Sequence, residues 1–230
     1  MIRAFVLGGA VALLAGSSMG QQVFFNDFNN ATPSEISGIV NQTSVQGFSG
    51  LGNAGNTFGG NFLHNDSLGN PAAATVLTLS NLPAHTELSI GFLLAVIDSW
   101  DSSNGAPSPD LFNVELDGVN VFQATFAVQS GNVNYAPPAN GDIGGLAQRG
   151  FNNSFNDRAY DLSLDSSLQS IPHTASTATI RFFASGNGWQ GGSDESWGID
   201  NLRVTVNIPA PGAAGALAVA SLLATRRRRA

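Results

Sequence analysis

The sequence predicts an all-β protein, a jelly-roll or lectin-like β-sandwich, and three observations lead there. Between Gln21 and Asn207, apolar and polar residues alternate in several short runs, each bounded by Gly, Asn or Pro. That alternation is the period of a strand with one buried face. Two of the runs are joined by Asp117-Gly118, a pair suited to a type I′ hairpin turn, whose two central residues both take positive φ. No part of this region carries a convincing helical period. Many short strands separated by such turns are the pattern of a sandwich or jelly roll.

The elements follow in order. Val23 to Phe28 reads as a first strand, expected to pair near the end of the domain. Asn29 to Leu68, rich in Gly, Asn, Ser and Thr, reads as short strands between turns. Thr75 to Leu82 alternates and ends at Pro83. Glu87 to Ile97 is apolar on both faces, which predicts a central strand covered on both sides; Gly91 and the β-branched residues argue against a helix. Asp98 to Asp110 is a loop by composition. Phe112 to Leu116 and Val119 to Gln123 form the hairpin around Asp117-Gly118. Ser130 to Asn156 has no period, and a segment of that length is expected to be functional or mobile. Tyr160 to Leu164 and Ala178 to Ala184 alternate as two further strands. The last strand starts at Asp200, with Leu202, Val204 and Val206 sharing the core face and Asp200 placed on the same face. A carboxylate there must be hydrogen-bonded, paired or metal-bound.

Composition limits the function. The chain has 230 residues, 43% hydrophobic and 11% charged, with no cysteine, which rules out disulfides and thiolate chemistry. All sixteen acids lie between Asp27 and Asp200, where only Arg149, Arg158, Arg181 and Arg203 oppose them, and no lysine occurs. Such a domain repels phosphate backbones, so nucleic acid is not expected as a partner.

Both ends differ from the middle. Residues 1–20 carry Arg3, an apolar run and small residues before Gln21, the layout of a secretory signal peptide. Residues 208–230 hold Pro209 and Pro211, an apolar stretch from Gly212 to Thr225, then Arg226, Arg227, Arg228 and Arg229. Fourteen helical residues reach about 21 Å, short of a hydrocarbon core of about 30 Å. Snorkelling arginines and local thinning would still permit insertion, with the arginines cytoplasmic. The predicted organisation is therefore a signal peptide over 1–20, a β-sandwich over 21–207 and a tail over 208–230.

Candidate site residues cluster on the acidic loops. Asp98, Asp101, Asp110, Asp194, Glu195 and Asp200 could converge on a structural calcium ion, with Asp27 a weaker addition. No EF-hand spacing occurs, so the ligands would come from separate loops, and a solvated acidic rim explains the same residues. Trp100, Trp189 and Trp197 on these loops suit stacking against sugar rings, although a large aromatic beside a Gly turn more often closes the end of a core. No catalytic group is read. Glu115 and Glu195 could be nominated as a glycosidase pair, but nothing places them together. His64 lies in a polar loop by composition, His85 and His173 sit near prolines, and no His-Glu-x-x-His or Gly-x-Ser-x-Gly motif occurs.

The turn at Pro209-Ala-Pro211, the apolar stretch and the closing arginines together resemble the PEP-CTERM sorting tail, without the glutamate between the prolines. That resemblance implies an exosortase-like processing enzyme as partner and transient inner-membrane anchoring. The processed protein would then reach the cell envelope or the extracellular space, alongside exopolysaccharide. Asp98-Ser-Trp-Asp101, Asp194-Glu-Ser-Trp197 and Gly198-Ile-Asp-Asn-Leu-Arg-Val204 resemble the corresponding segments of galactose-binding-like and lectin-like sandwiches. This implies the fold and a strand carboxylate supporting structural calcium, and names no ligand; extracellular polysaccharide as a partner rests on the tryptophan-bearing loops and on the tail's association with exopolysaccharide.

Overall fold

The computed structural model describes residues 19–103, 107–128 and 135–209. The expected signal helix and apolar tail helix, with Pro211 and Arg226 to Arg229, lie outside them; Pro209 is described and exposed. Among the described residues the chain is all-β, with 3₁₀ turns and no α-helix. The strands are β1 (Met19–Asn26), β2 (Ile36–Gly38), β3 (Asn41–Ser44), β4 (Gly52–Asn53), β5 (Asn56–Thr57), β6 (Asn61–Asn65) and β7 (Thr75–Leu79). Then come β8 (Glu87–Asp98), β9 (Leu111–Leu116), β10 (Val119–Ala124), β11 (Arg158–Asp161), β12 (Ile171–Pro172), β13 (Ala178–Ser185) and β14 (Glu195–Ile208).

Two sheets face each other. One runs β10-β9-β13-β7-β2. The other, seven-stranded, runs β11-β8-β14-β6-β3, with β1 also on β14 and β12 also on β8. Its centre is the long antiparallel pair β8–β14, from Glu195↔Asp98 to Asn207↔Glu87. β1 pairs with β14 from Met19↔Ile208 to Asn26↔Leu202, as expected of a first strand that returns to the last. The strand starts at Met19, two residues before the expected cleavage point.

The apolar run of β8 is explained by two cores. Leu88, Ile90, Phe92, Leu94 and Val96 face the other sheet and join the main core. Leu93, Ala95 and Ile97 point the opposite way, into a second cluster with Val45, Phe48, Phe58, Phe62 and Ala159. The outer face of the seven-stranded sheet is thus roofed by loop segments, and each large apolar side chain so covered contributes about 2 kcal/mol. The hairpin forms as predicted: Asp117 has φ 51° and Gly118 φ 79°, the combination of a type I′ turn.

Two strand expectations are corrected. The strand expected over Tyr160 to Leu164 ends at Asp161, whose side chain accepts from the Ser163 amide and caps a 3₁₀ turn over Leu162–Leu164. Asp200 does not share the face of Leu202, Val204 and Val206. A bulge between Asp200 and Arg203, with Asn201 at φ 51°, shifts the phase. Asp200 pairs with Leu93 and faces the second cluster, while Ile199 and Leu202 both enter the main core.

Candidate functional site

The ends of β8 and the start of β14 meet two loop walls and make two polar assemblies, on opposite faces of the same sheet. The first is a cleft of about 640 Å³ over the outer face. His64 from β6, Asp98 and Ser196 line it, with Gln46, Asp66, the segment 150–153 and Gly192-Ser193 as walls. The Phe151 ring lies 5.9 Å from Phe62, nearly parallel to it, and 5.7 Å from His64. Asn152 ties the walls together: its amide donates to Asp98 Oδ1 at 2.9 Å and its side chain to the Ser193 carbonyl at 3.1 Å. Asp157, buried behind them, accepts from the Asp98 and Arg149 amides at 2.9 and 2.7 Å. Burial pushes the Asp98 carboxyl up to about 6, with Asp157 and Asp194 adding to the shift and the Asn152 amide opposing it. Burial also lowers the His64 pKa, against the pull of Asp66, so the imidazole stands neutral at pH 7. His64 lies on β6, not in a loop as composition suggested.

The second assembly lies at the end of the main core. The carboxylates of Asp101, Asp110 and Glu195 come within 4.8 Å of one another. Asp101 and Asp110 are joined twice: the Asp110 amide donates to the Asp101 carbonyl at 3.0 Å, and the Asp101 amide to the Asp110 side chain, at Oδ2, at 2.5 Å. Glu195 Oε2 accepts from the Gln190 amide at 2.7 Å. Burial, with neighbouring carboxylates adding, raises all three carboxyls, Asp110 up to about 7 and Glu195 up to about 8.

The other acids proposed for a common site are engaged elsewhere. Asp98 belongs to the cleft. Asp194 Oδ1 accepts from Ser99 Oγ at 3.0 Å. Asp200 accepts from the Gly59 and Asn201 amides at 3.1 and 2.7 Å. Asp27 Oδ1 accepts from the Asn29 amide at 3.2 Å. The convergence expected of six acids is thus restricted to three, because Asp98 and Asp200 are taken up by amides of Asn152, Gly59 and Asn201 and Asp194 by Ser99.

Of the two readings of the tryptophans, the structure shows the closing of the core. Trp100 and Trp197 are fully buried and Trp189 is 6% exposed. Trp100 meets Trp189 edge-on at 5.2 Å, and Trp197 meets Phe112 at 5.2 Å. The Trp100 indole donates to the Ser196 carbonyl at 2.7 Å and the Trp189 indole to Ser67 at 3.1 Å. These rings close the core and hold the two loops together; they offer no face to a sugar. Large aromatic area is worth more buried than exposed. Sequence reasoning did not single out Gln46, Asp66, Phe151, Asn152 and Asn153, and named His64 only as a histidine without a motif; Phe151, Asn152 and Asn153 fall in the long aperiodic segment expected to be functional or mobile. Glu115, the other nominated carboxylate, pairs with Arg181 at 2.5 Å on the five-stranded sheet.

No family model matches the sequence, and no curated protein matches it. Among solved structures it is similar to the CBM22-1 xylan-binding domain of Paenibacillus barcinonensis Xyn10C, at 8% identity over 85% of this chain and 99% of that one, TM-score 0.38. It is similar to the CBM22-1–GH10 modules of Clostridium thermocellum xylanase 10B in complex with xylohexaose, at 7% identity, covering 80% of this chain and 28% of that one, TM-score 0.37. A third is the enzymatically active domain of bacteriophage CBA120 tailspike protein 4, at 16% identity, covering 79% and 20% of the two chains, TM-score 0.34.

Proposed function

We propose that this is an exported surface protein whose sandwich is a non-catalytic glycan-binding module, with the cleft over the outer sheet face as its binding site. The observation that carries this is the cleft's chemistry. A half-buried aromatic ring, Phe151, is flanked by the amides of Gln46, Asn152 and Asn153, the hydroxyls of Ser193 and Ser196, and the carboxylates of Asp66 and Asp98. Sugars present apolar C–H faces and a dense array of hydroxyls, and this set answers both. Its volume of about 640 Å³ suits a few sugar units. The signal-like start and the tail resemblance support delivery to the envelope or outside the cell, with an exosortase-like enzyme and the inner membrane as transient partners.

Gln46 and Asn153 are exposed, so removing them disturbs the cleft without opening the core. Affinity electrophoresis through gels containing xylan, β-glucan, galactan or bacterial exopolysaccharide should retard the wild-type domain in at least one gel. Gln46→Ala with Asn153→Ala should weaken that retention about tenfold, the effect of about 1.4 kcal/mol of lost hydrogen bonding. Unretarded migration in every gel would replace this reading with a structural envelope protein that takes no ligand.

A further inference from the structure

We propose that Asp101, Asp110 and Glu195 form a binding site for a hard divalent cation of the calcium class, at the end of the main core and on the sheet face opposite the cleft. The proposal does not depend on what the cleft holds. Two independent observations carry it. The three carboxylates place one oxygen each within 4.8 Å of the others. Asp110 and Glu195 are also fully buried, and Asp110 Oδ1 and Glu195 Oε1 are enclosed without a hydrogen-bond donor.

The backbone orients these groups. Asp110 Oδ2 and Glu195 Oε2 are each held by a main-chain amide, from Asp101 and Gln190; the Gly191 amide also approaches Glu195 and the two carboxyls face each other, while Asp110 Oδ1 and Glu195 Oε1 accept no well-formed hydrogen bond. Gly188 packs against Asp110, where a Cβ would come within 2.5 Å of Oδ1. No side-chain cation answers the charge: the ion pairs found among the described residues join Arg158 to Asp142, His173 to Asp117 and Arg181 to Glu115. Carboxylates withdrawn from water without a counter-charge are strongly unfavourable. An all-oxygen donor set with neither His nor Cys selects a hard ion over zinc or copper. Three carboxylates supply part of the six to eight oxygens calcium takes, with carbonyls and water completing the shell.

The test uses the whole chain, stripped with EDTA and returned to metal-free buffer. Calcium chloride should raise the melting temperature saturably, with a dissociation constant on the order of 10⁻⁴–10⁻³ M, the range of extracellular sites. Terbium should give luminescence excited through tryptophan, since Trp100 adjoins Asp101 in sequence. Asp110→Asn and Glu195→Gln, which keep shape and remove charge, should each weaken terbium binding at least tenfold, while Glu115→Gln leaves it unchanged. If the two site variants fold poorly, the wild-type titrations decide alone. A wild-type melt indifferent to calcium, with no sensitised terbium emission, would overturn the site and leave a proton shared between Asp110 and Glu195 as the means of neutralising them. Terbium binding equal in wild type and both folded site variants would overturn it too.

Discussion

Gly198 shows how closely the second core is fitted. It lies on β14 between Ala95 and His64, and a Cβ there would come within 2.6 Å of the Phe62 ring. That ring has no room to move: Phe48, Phe58 and Phe151 surround it at centroid distances of 6.0, 6.3 and 5.9 Å. Alanine would gain about 0.5–1 kcal/mol in strand entropy and lose about 1–3 kcal/mol to overpacking. Overpacking therefore wins, and Gly198→Ala should unfold at lower urea by about 1–2 kcal/mol. Wild-type stability in that variant would mean the aromatic cluster yields, and Phe151 with it. Single residues of this kind were not legible beforehand, because nothing near Gly198 in sequence announces a phenylalanine 136 positions earlier.

At the scale of the element, the bulge in β14 sets the fate of Asp200. Burial pushes this carboxyl up to about 7; the Gly59 and Asn201 amides oppose the shift and Asp27 adds to it. The folded protein therefore holds a proton that the unfolded chain releases near pH 4. Stability from this group is lost as pH rises from about 4 to about 7, and the penalty is constant above that window. Asp200→Asn cannot titrate, so its unfolding free energy should fall less between pH 4 and pH 7 than the wild-type value does. Parallel pH profiles would show that Asp200 ionises normally. The elements themselves were largely readable. β8, β13 and the β9–β10 hairpin follow from alternation, two-sided apolarity and Asp-Gly. The bulge left a trace too: Trp197 and Ile199 are followed by Leu202, Val204 and Val206, a break in phase that an extra residue explains. The cleft was not readable, because its walls come from residues 46–66, 150–153 and 192–196, and only long-range packing brings these together. The acidic triad was half-readable: composition named the acids, but only the fold separates three of them from the others.

For the whole molecule, the pairing Met19↔Ile208 puts the two ends of the sandwich side by side. A leader and a tail would then leave from one edge, and a domain crossing a membrane would stay tethered at a single corner. If residues 208–230 are a sorting tail, deleting Arg226 to Arg229 should move the protein between membrane and medium fractions. An unaltered distribution would make the tail an ordinary terminus. The length of β14 then matters in a different way. Its first residues border the cleft and its last precede the tail, about 45 Å apart at strand rise. Tension between a captured polymer and a tethered end would run along this strand, flanked by β8 on one side and by β6 and β1 on the other. Loaded lengthwise, the rungs of those ladders must shear together, whereas a crosswise pull would peel them one at a time. Were the chain tethered at its tail and loaded at its cleft, this arrangement would resist strain between a surface and what clings to it.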